Sequence, residues 1–158
     1  MRDVSRKTAD KFIVSSPKKS YCNISPNTTI YYESYGRYIN LFGSTIISYD
    51  SNRSTLSYTM AGYDTVTTRA RINEVMLNLH LAGVLPHAWG IACRRGKRYI
   101  SQGGFPRTKM QASDTIVIKN VYTLQGENRN AQLALTLENT SWEVPQFNAT
   151  FKQLAGVL

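Results

Sequence analysis

The chain has 158 residues, enough for one domain with a real core and too few for two comfortable ones. Hydrophobic residues make up 42% and charged residues only 18%, which excludes a disordered chain and leaves much of the surface to Ser, Thr, Asn, Gln and Tyr. Nineteen Lys and Arg against ten acids give a formal net charge of +9, so acidic macromolecules are the first partners to consider.

Residues 1–20 hold six basic and two acidic residues and no sustained apolar period. They read as a mobile basic arm carrying Arg6, Lys7, Lys11, Lys18 and Lys19, with Phe12-Ile13-Val14 as the one stretch able to dock as a short strand. A single domain is expected over 21–158.

From Thr28 to Tyr63 the text turns β-branched and aromatic, broken by Tyr35-Gly36, Gly43 and Asp50-Ser51-Asn52, and predicts antiparallel strands over 28–34, 37–42, 44–49 and 53–60. In the last, Leu56, Tyr58 and Met60 alternate with Ser57 and Thr59, one side facing a core. The four tyrosines at 31, 32, 35 and 38 fit half-buried strands, with base stacking by one or two of them as the other reading.

Thr67 or Thr68 can cap a helix whose Ile72, Val75, Met76 and Leu79 fall on one stripe, with Gly83 and Pro86 beyond its end. Two strands, 88–94 and 97–102, then flank Arg95-Gly96, a two-residue hairpin connection. Gly103 to Lys109 reads as a flexible loop. Strands over 114–124 and 131–138 follow, and a second amphipathic helix is predicted from Pro145 through Phe147, Phe151, Leu154 and Leu158. The fold class is α+β, antiparallel sheets with two amphipathic helices in the order strands, helix, strands, helix.

Charge is segregated. Residues 94–119 carry a net +6 and residues 1–20 a net +4, so the remainder is slightly negative. In the hairpin, period-two alternation puts Gly90, Ala92 and Arg94 on one side with Lys97, Tyr99 and Ser101. Small residues there would admit a flat base, Tyr99 and Phe105 would stack, and Arg94, Arg95, Lys97, Arg98, Arg107, Lys109 and Lys119 would neutralise phosphates. The expected activity is therefore non-enzymatic binding of single-stranded nucleic acid, RNA ahead of DNA. The alternative is a structural or host-interaction protein whose basic face meets an acidic protein.

Catalytic and metal chemistry have no support in the sequence. Cys22 and Cys93 stand outside any Cys-x-x-Cys spacing, and His80 and His87 have no Cys or carboxylate at ligand spacing, so no cofactor and no metal are expected. No run approaches the roughly 18 apolar residues of a membrane span, and the charged start offers no signal-peptide core. A soluble cytoplasmic protein without a membrane partner is expected, with self-association left open.

The run Tyr31-Tyr32-Glu33-Ser34-Tyr35, then Ile39, then Tyr63-x-x-x-Thr67-Thr68-x-x-x-Ile72-Asn73 resembles the signature of a small uncharacterised family encoded by phages and plasmids, over about a third of the chain. The resemblance implies a phage origin, hence the host cytoplasm or a phage replication compartment, and phage or host proteins as partners. Separately, the element order is similar to the Whirly and PUR-type nucleic-acid-binding folds, a Whirly-like messenger-RNA-binding protein of nucleus-forming jumbo phages being a sub-case. Arg94-Arg95-Gly96-Lys97-Arg98 is loosely comparable with the Whirly basic signature.

Overall fold

Residues 2–12 form a helix where a free arm is expected. This helix, α1 (Arg2–Phe12), opens a computed structural model that describes residues 2–134. Its buried stripe is Ser5, Thr8, Ala9 and Phe12, spaced three and four apart as a helix requires. Three of these four are small or hydroxylated, and Thr8 satisfies its hydroxyl on Val4 O at 2.6 Å. The stripe is thus helical in period but nearly silent in hydrophobicity. Phe12, the one large side chain, is wholly buried and belongs to the helix, not to a strand.

Five antiparallel strands follow: β1 (Tyr21–Ser25), β2 (Thr28–Glu33), β3 (Gly36–Leu41), β4 (Ser44–Asp50) and β5 (Thr55–Thr59). After β5 comes α2 (Val66–Leu81), then β6 (Trp89–Arg94), β7 (Lys97–Gln102), β8 (Phe105–Met110), β9 (Thr115–Lys119) and β10 (Gln132–Ala134). The strands make two sheets. One has seven strands in the order β1-β2-β3-β4-β5-β9-β10, the other is β6-β7-β8. The described chain is therefore α+β with antiparallel sheets and two helices. The helix expected from Pro145 and the strand beyond Ala134 lie outside the described residues.

Register explains the core. Ile30, Ile39, Ile47, Tyr58 and Ile116 lie side by side across five neighbouring strands, and all are fully buried. The other side of the sheet carries Tyr31, Tyr38, Ser48, Ser57 and Val117 in the same order, as the two-residue period demands. Helices α1 and α2 pack on each other; α1 also reaches β1, β2 and β3, and α2 reaches β4 and β6.

Helix α2 starts earlier than the paired threonines imply. Its N-cap is Thr65, whose Oγ1 accepts from Thr68 N at 3.2 Å and also meets the Thr68 hydroxyl at 2.9 Å. Ile72, Val75, Met76 and Leu79 are fully buried, as the spacing predicts. The two sheets share one core that includes Ile91, Ile100 and Met110, and Tyr58 joins them by donating its hydroxyl to Gly90 O at 2.9 Å. Burial pushes the Tyr58 pKa far up, so the phenol keeps the proton it donates.

Residues 103–109 do not form a flexible loop. Gly103-Gly104 makes a tight turn and Phe105–Met110 is β8, paired with β7. Pro106 is tolerated because β8 is an edge strand of its sheet. The strand expected over 114–124 ends at Lys119. Beyond it, Asn128 holds the chain by donating to Val84 O and Thr123 O and accepting from Tyr122 N.

Candidate nucleic-acid interface

The β6–β7 hairpin has the predicted register: Arg94 faces Lys97, Ala92 faces Tyr99 and Gly90 faces Ser101. Its turn residues Arg95 and Gly96 both have positive φ, 51° and 76°, the pattern whose twist matches the flanking strands. Arg94, Arg95 and Lys97 are exposed at this tip, where Arg94 also donates to Cys93 O at 2.9 Å. On the same side, Tyr99 is half-buried between Ala92 of β6 and Lys109 of β8.

The small residues serve a purpose the sequence did not reveal. A Cβ on Gly90 would lie 2.4 Å from Asn73 Oδ1, because Asn73 of α2 reaches across to β6. Its Nδ2 donates to Ile91 O at 2.9 Å and its Oδ1 accepts from Ile91 N at 2.7 Å. One side-chain amide thus pairs with the outer edge of β6 as a strand residue would. The close approach at Gly90 is made by a helix, and the base expected there has no room against that backbone. In the Thr67-Thr68-x-x-x-Ile72-Asn73 run, Ile72 enters the core and Asn73 makes this bracket.

Beside the bracket lies a groove of about 1490 Å³ between the C-terminal half of α2 and the second sheet. Ala92 and Ser101 lie along it, Leu77 and Leu81 come from α2, and Arg94 and Phe105 belong to its lining. Leu81 is 71% and Phe105 69% exposed. Arg94 of β6 faces Lys97 and Phe105 of β8 faces Gln102, the two ends of β7, a separation of about 17 Å along the strand direction at roughly 3.3 Å per residue. His87 meets Trp89 edge-on with centroids 5.2 Å apart, and burial, with His80 and Arg107 nearby, holds its imidazole below the usual range. His80 has its Nδ1 2.8 Å from Leu85 O.

Of the other four expected phosphate contacts, Arg98 and Lys109 lie near the tip and Arg107 and Lys119 lie away from it. Arg98 donates through Nε to Asp64 Oδ1 at 2.8 Å, and Arg69 of α2 donates to the same oxygen. Burial by itself would raise the Asp64 pKa, but the two guanidiniums outweigh it and hold the carboxyl below its ordinary range; the same bond raises Arg98. Arg107 is only 2% exposed and donates to Gln102 Oε1 at 2.5 Å; desolvation lowers its pKa, partly offset by Tyr58. It belongs to the groove wall, not to a mobile loop. Lys119 is exposed but sits beside Thr55, at the end of β9 away from the β8–β9 turn. Lys109 borders Tyr99, one strand removed from the hairpin.

Three of the five basic residues singled out in the expected arm belong to α1. Arg6, Lys7 and Lys11 project from the outer side of α1, together with Asp3 and Asp10, and Lys18 and Lys19 are exposed in the connector to β1. Of the tyrosines, Tyr31 and Tyr38 stack on each other at 5.1 Å. Tyr32 donates to Lys11 O at 2.6 Å under the Arg37 guanidinium, which itself donates to Phe12 O at 2.7 Å. These contacts tie α1 to the sheet. Among the described residues no helix is long and apolar enough to cross a membrane.

Asp64, Arg69, Leu77 and Leu81 are residues of the candidate site that the sequence did not single out, and Asn73 was marked only as part of the Ile72-Asn73 pair. Leu77 and Leu81 carried a signal, since both fall off the Ile72-Val75-Met76-Leu79 stripe. Compared with protein-family models, curated proteins and solved structures, the chain matches none of them.

Proposed function

We propose that the protein binds single-stranded nucleic acid, RNA ahead of DNA, along the groove that runs from the hairpin tip to Phe105. The observation that carries this reading is that exposed Arg94, next to exposed Arg95 and close to exposed Lys97 at the tip, lines a groove whose lining also includes the exposed ring of Phe105. Phosphates would lie at the tip, where Coulomb attraction and counterion release act, and a base would stack on Phe105. Tyr99, half-buried beside Ala92, offers a second and more restricted ring. Arg6, Lys7, Lys11, Lys18 and Lys19 would add non-specific attraction, the first three from α1. No catalytic residue and no cofactor are invoked.

A phage origin, a cytoplasmic location and a Whirly or PUR-type likeness belong to the same reading. Support for the likeness is limited to the succession of antiparallel strands, a helix and further antiparallel strands from β1 to β9.

Fluorescence anisotropy with labelled oligouridine and oligodeoxythymidine of about 15 nucleotides tests the proposal. Binding that weakens steeply with added salt is the expected result, and no binding to either probe even at low salt overturns it. Capture of an acidic protein through Arg94, Arg95 and Lys97, with no affinity for the probes, would favour the protein-partner alternative.

A further inference from the structure

Two guanidiniums converge on a single carboxylate oxygen at the edge of the proposed interface. Asp64 precedes the Thr65 N-cap, Arg69 lies in the first turns of α2, and Arg98 is the second residue of β7, adjacent in the chain to Lys97. Arg98 Nε and Arg69 Nη1 both donate to Asp64 Oδ1. Two positive charges therefore face one negative charge and leave a surplus of one. All three side chains keep contact with solvent, at 15% exposure for Arg69, 20% for Arg98 and 35% for Asp64. An incoming anion can reach them without unfolding anything.

Placement adds to the chemistry. Helix α2 runs beside β6, with Asn73 on Ile91 and with Leu77 and Leu81 beside the groove nearer Trp89. The N-terminal end of α2 therefore meets the hairpin near its tip, which is where Asp64 takes hold of Arg98. The groove lining reaches Arg94 but does not include Asp64, Arg69 or Arg98, and Arg98 projects from the hairpin face opposite Arg94, so a phosphodiester strand that reaches Arg94 meets this cluster by crossing the hairpin tip. A carboxylate gripped through one oxygen by two arginines is geometrically close to a phosphate gripped the same way.

We propose that Arg69 and Arg98 form a phosphate subsite of the nucleic-acid interface, and that Asp64 is its built-in competitor. Resting on the single-strand reading above, this adds Arg69 to the binding residues and assigns Asp64 an inhibitory role. An arriving phosphate displaces Asp64 Oδ1, takes over both guanidiniums and leaves the carboxylate to water. Asp64 thereby lowers affinity for any polyanion and restrains non-specific binding by a strongly basic chain.

The test compares wild type, Asp64→Asn and Asp64→Asn/Arg69→Gln in anisotropy titrations with labelled oligouridine at several salt concentrations. Asp64→Asn should bind at least about fivefold tighter, with a log-log salt slope steeper by about 1, given roughly 0.7 per phosphate contact on a single strand. Adding Arg69→Gln should remove about half of the gain. Unchanged or weaker binding by a folded Asp64→Asn protein, with wild type binding normally, overturns the subsite and leaves the groove reading standing. Failure of wild type and variant alike to bind overturns both. Should Asp64→Asn not fold, Arg69→Gln alone decides: a loss of about twofold with a shallower slope supports the subsite, and an unchanged titration overturns it.

Discussion

Asn73 and Ile91 are joined through both backbone groups of Ile91, the asparagine amide donating to the carbonyl and accepting from the N–H. A helix side chain occupies the place of a neighbouring strand, so the second sheet is fastened to α2 at one residue. Asn73→Ala removes both bonds and leaves two strand-edge groups to find water. A loss of about 2 kcal/mol in chemical denaturation is expected, at roughly 1 kcal/mol or more per group. Gly90→Ala attacks the same contact from the other side, because its Cβ would meet Asn73 Oδ1, and should cost about 1 to 3 kcal/mol. In a double-mutant cycle the two losses should be clearly less than additive.

Truncating Phe12 tests the first helix. Its side chain is fully buried, so Phe12→Ala should destabilise the fold by about 3 to 5 kcal/mol. Urea unfolding would show it, whereas a free arm would give no change.

Reversing Arg94, Arg95 and Lys97 together to Glu should weaken oligouridine binding by about 100-fold or more and flatten its salt dependence by about 2 in log-log slope. Lys119→Glu, at the far end of β9, should change affinity less than about twofold at physiological salt, being more than a Debye length of roughly 8 Å from the tip. Equal effects from the two variants would show that net charge alone, not its placement, governs binding.

Phe105→Ala separates affinity from stability. The ring is 69% exposed, so thermal unfolding should be nearly unchanged, while loss of a stacking contact should cost about 1 to 3 kcal/mol of binding. A titration indistinguishable from wild type would remove Phe105 from the interface.

The Asp64 clamp predicts a sign for pH. Its carboxyl is held below the ordinary value of 3.8 in the folded state, so its stabilisation is fully present above that value and is lost as pH falls through the depressed pKa. Thermal unfolding of wild type and Asp64→Asn should differ by about 1 kcal/mol or less at neutral pH, as for exposed pairs, and converge in acid. A difference that widened in acid would contradict the assignment.

Where alternation and turn chemistry agree, the fold was legible in the sequence: the Arg95-Gly96 hairpin and the Leu56-Tyr58-Met60 row appear as read. Helix α1 was missed because Ser5, Thr8 and Ala9 make its buried side only weakly apolar, so its helical period is carried by the charged residues Asp3, Arg6, Lys7, Asp10 and Lys11 on the opposite side. Strand β8 was hidden because Gly103-Gly104 and Pro106 look like loop punctuation, although one is a tight turn and the other a tolerated edge residue. The candidate site was legible at Arg94, Arg95 and Lys97, whose exposure follows from the turn itself. It was illegible at Arg98 and Arg107, because their neighbours Asp64 and Tyr58 lie far back in the chain. A count of charges cannot tell a cation facing solvent from one already engaged.

The position of β9 sets an order on biosynthesis. Leu56 and Tyr58 of β5 complete their pairing only with Ile118 and Ile116, which leave the ribosome after the second helix and the whole three-stranded sheet. Until then the nascent chain presents an open, apolar strand edge, the feature most prone to intermolecular pairing. The outer side of the seven-stranded sheet, where Thr29, Asn40, Thr45, Thr55 and Thr115 join Ser48 and Ser57, stays wet during that wait, which should favour a soluble intermediate over an aggregate.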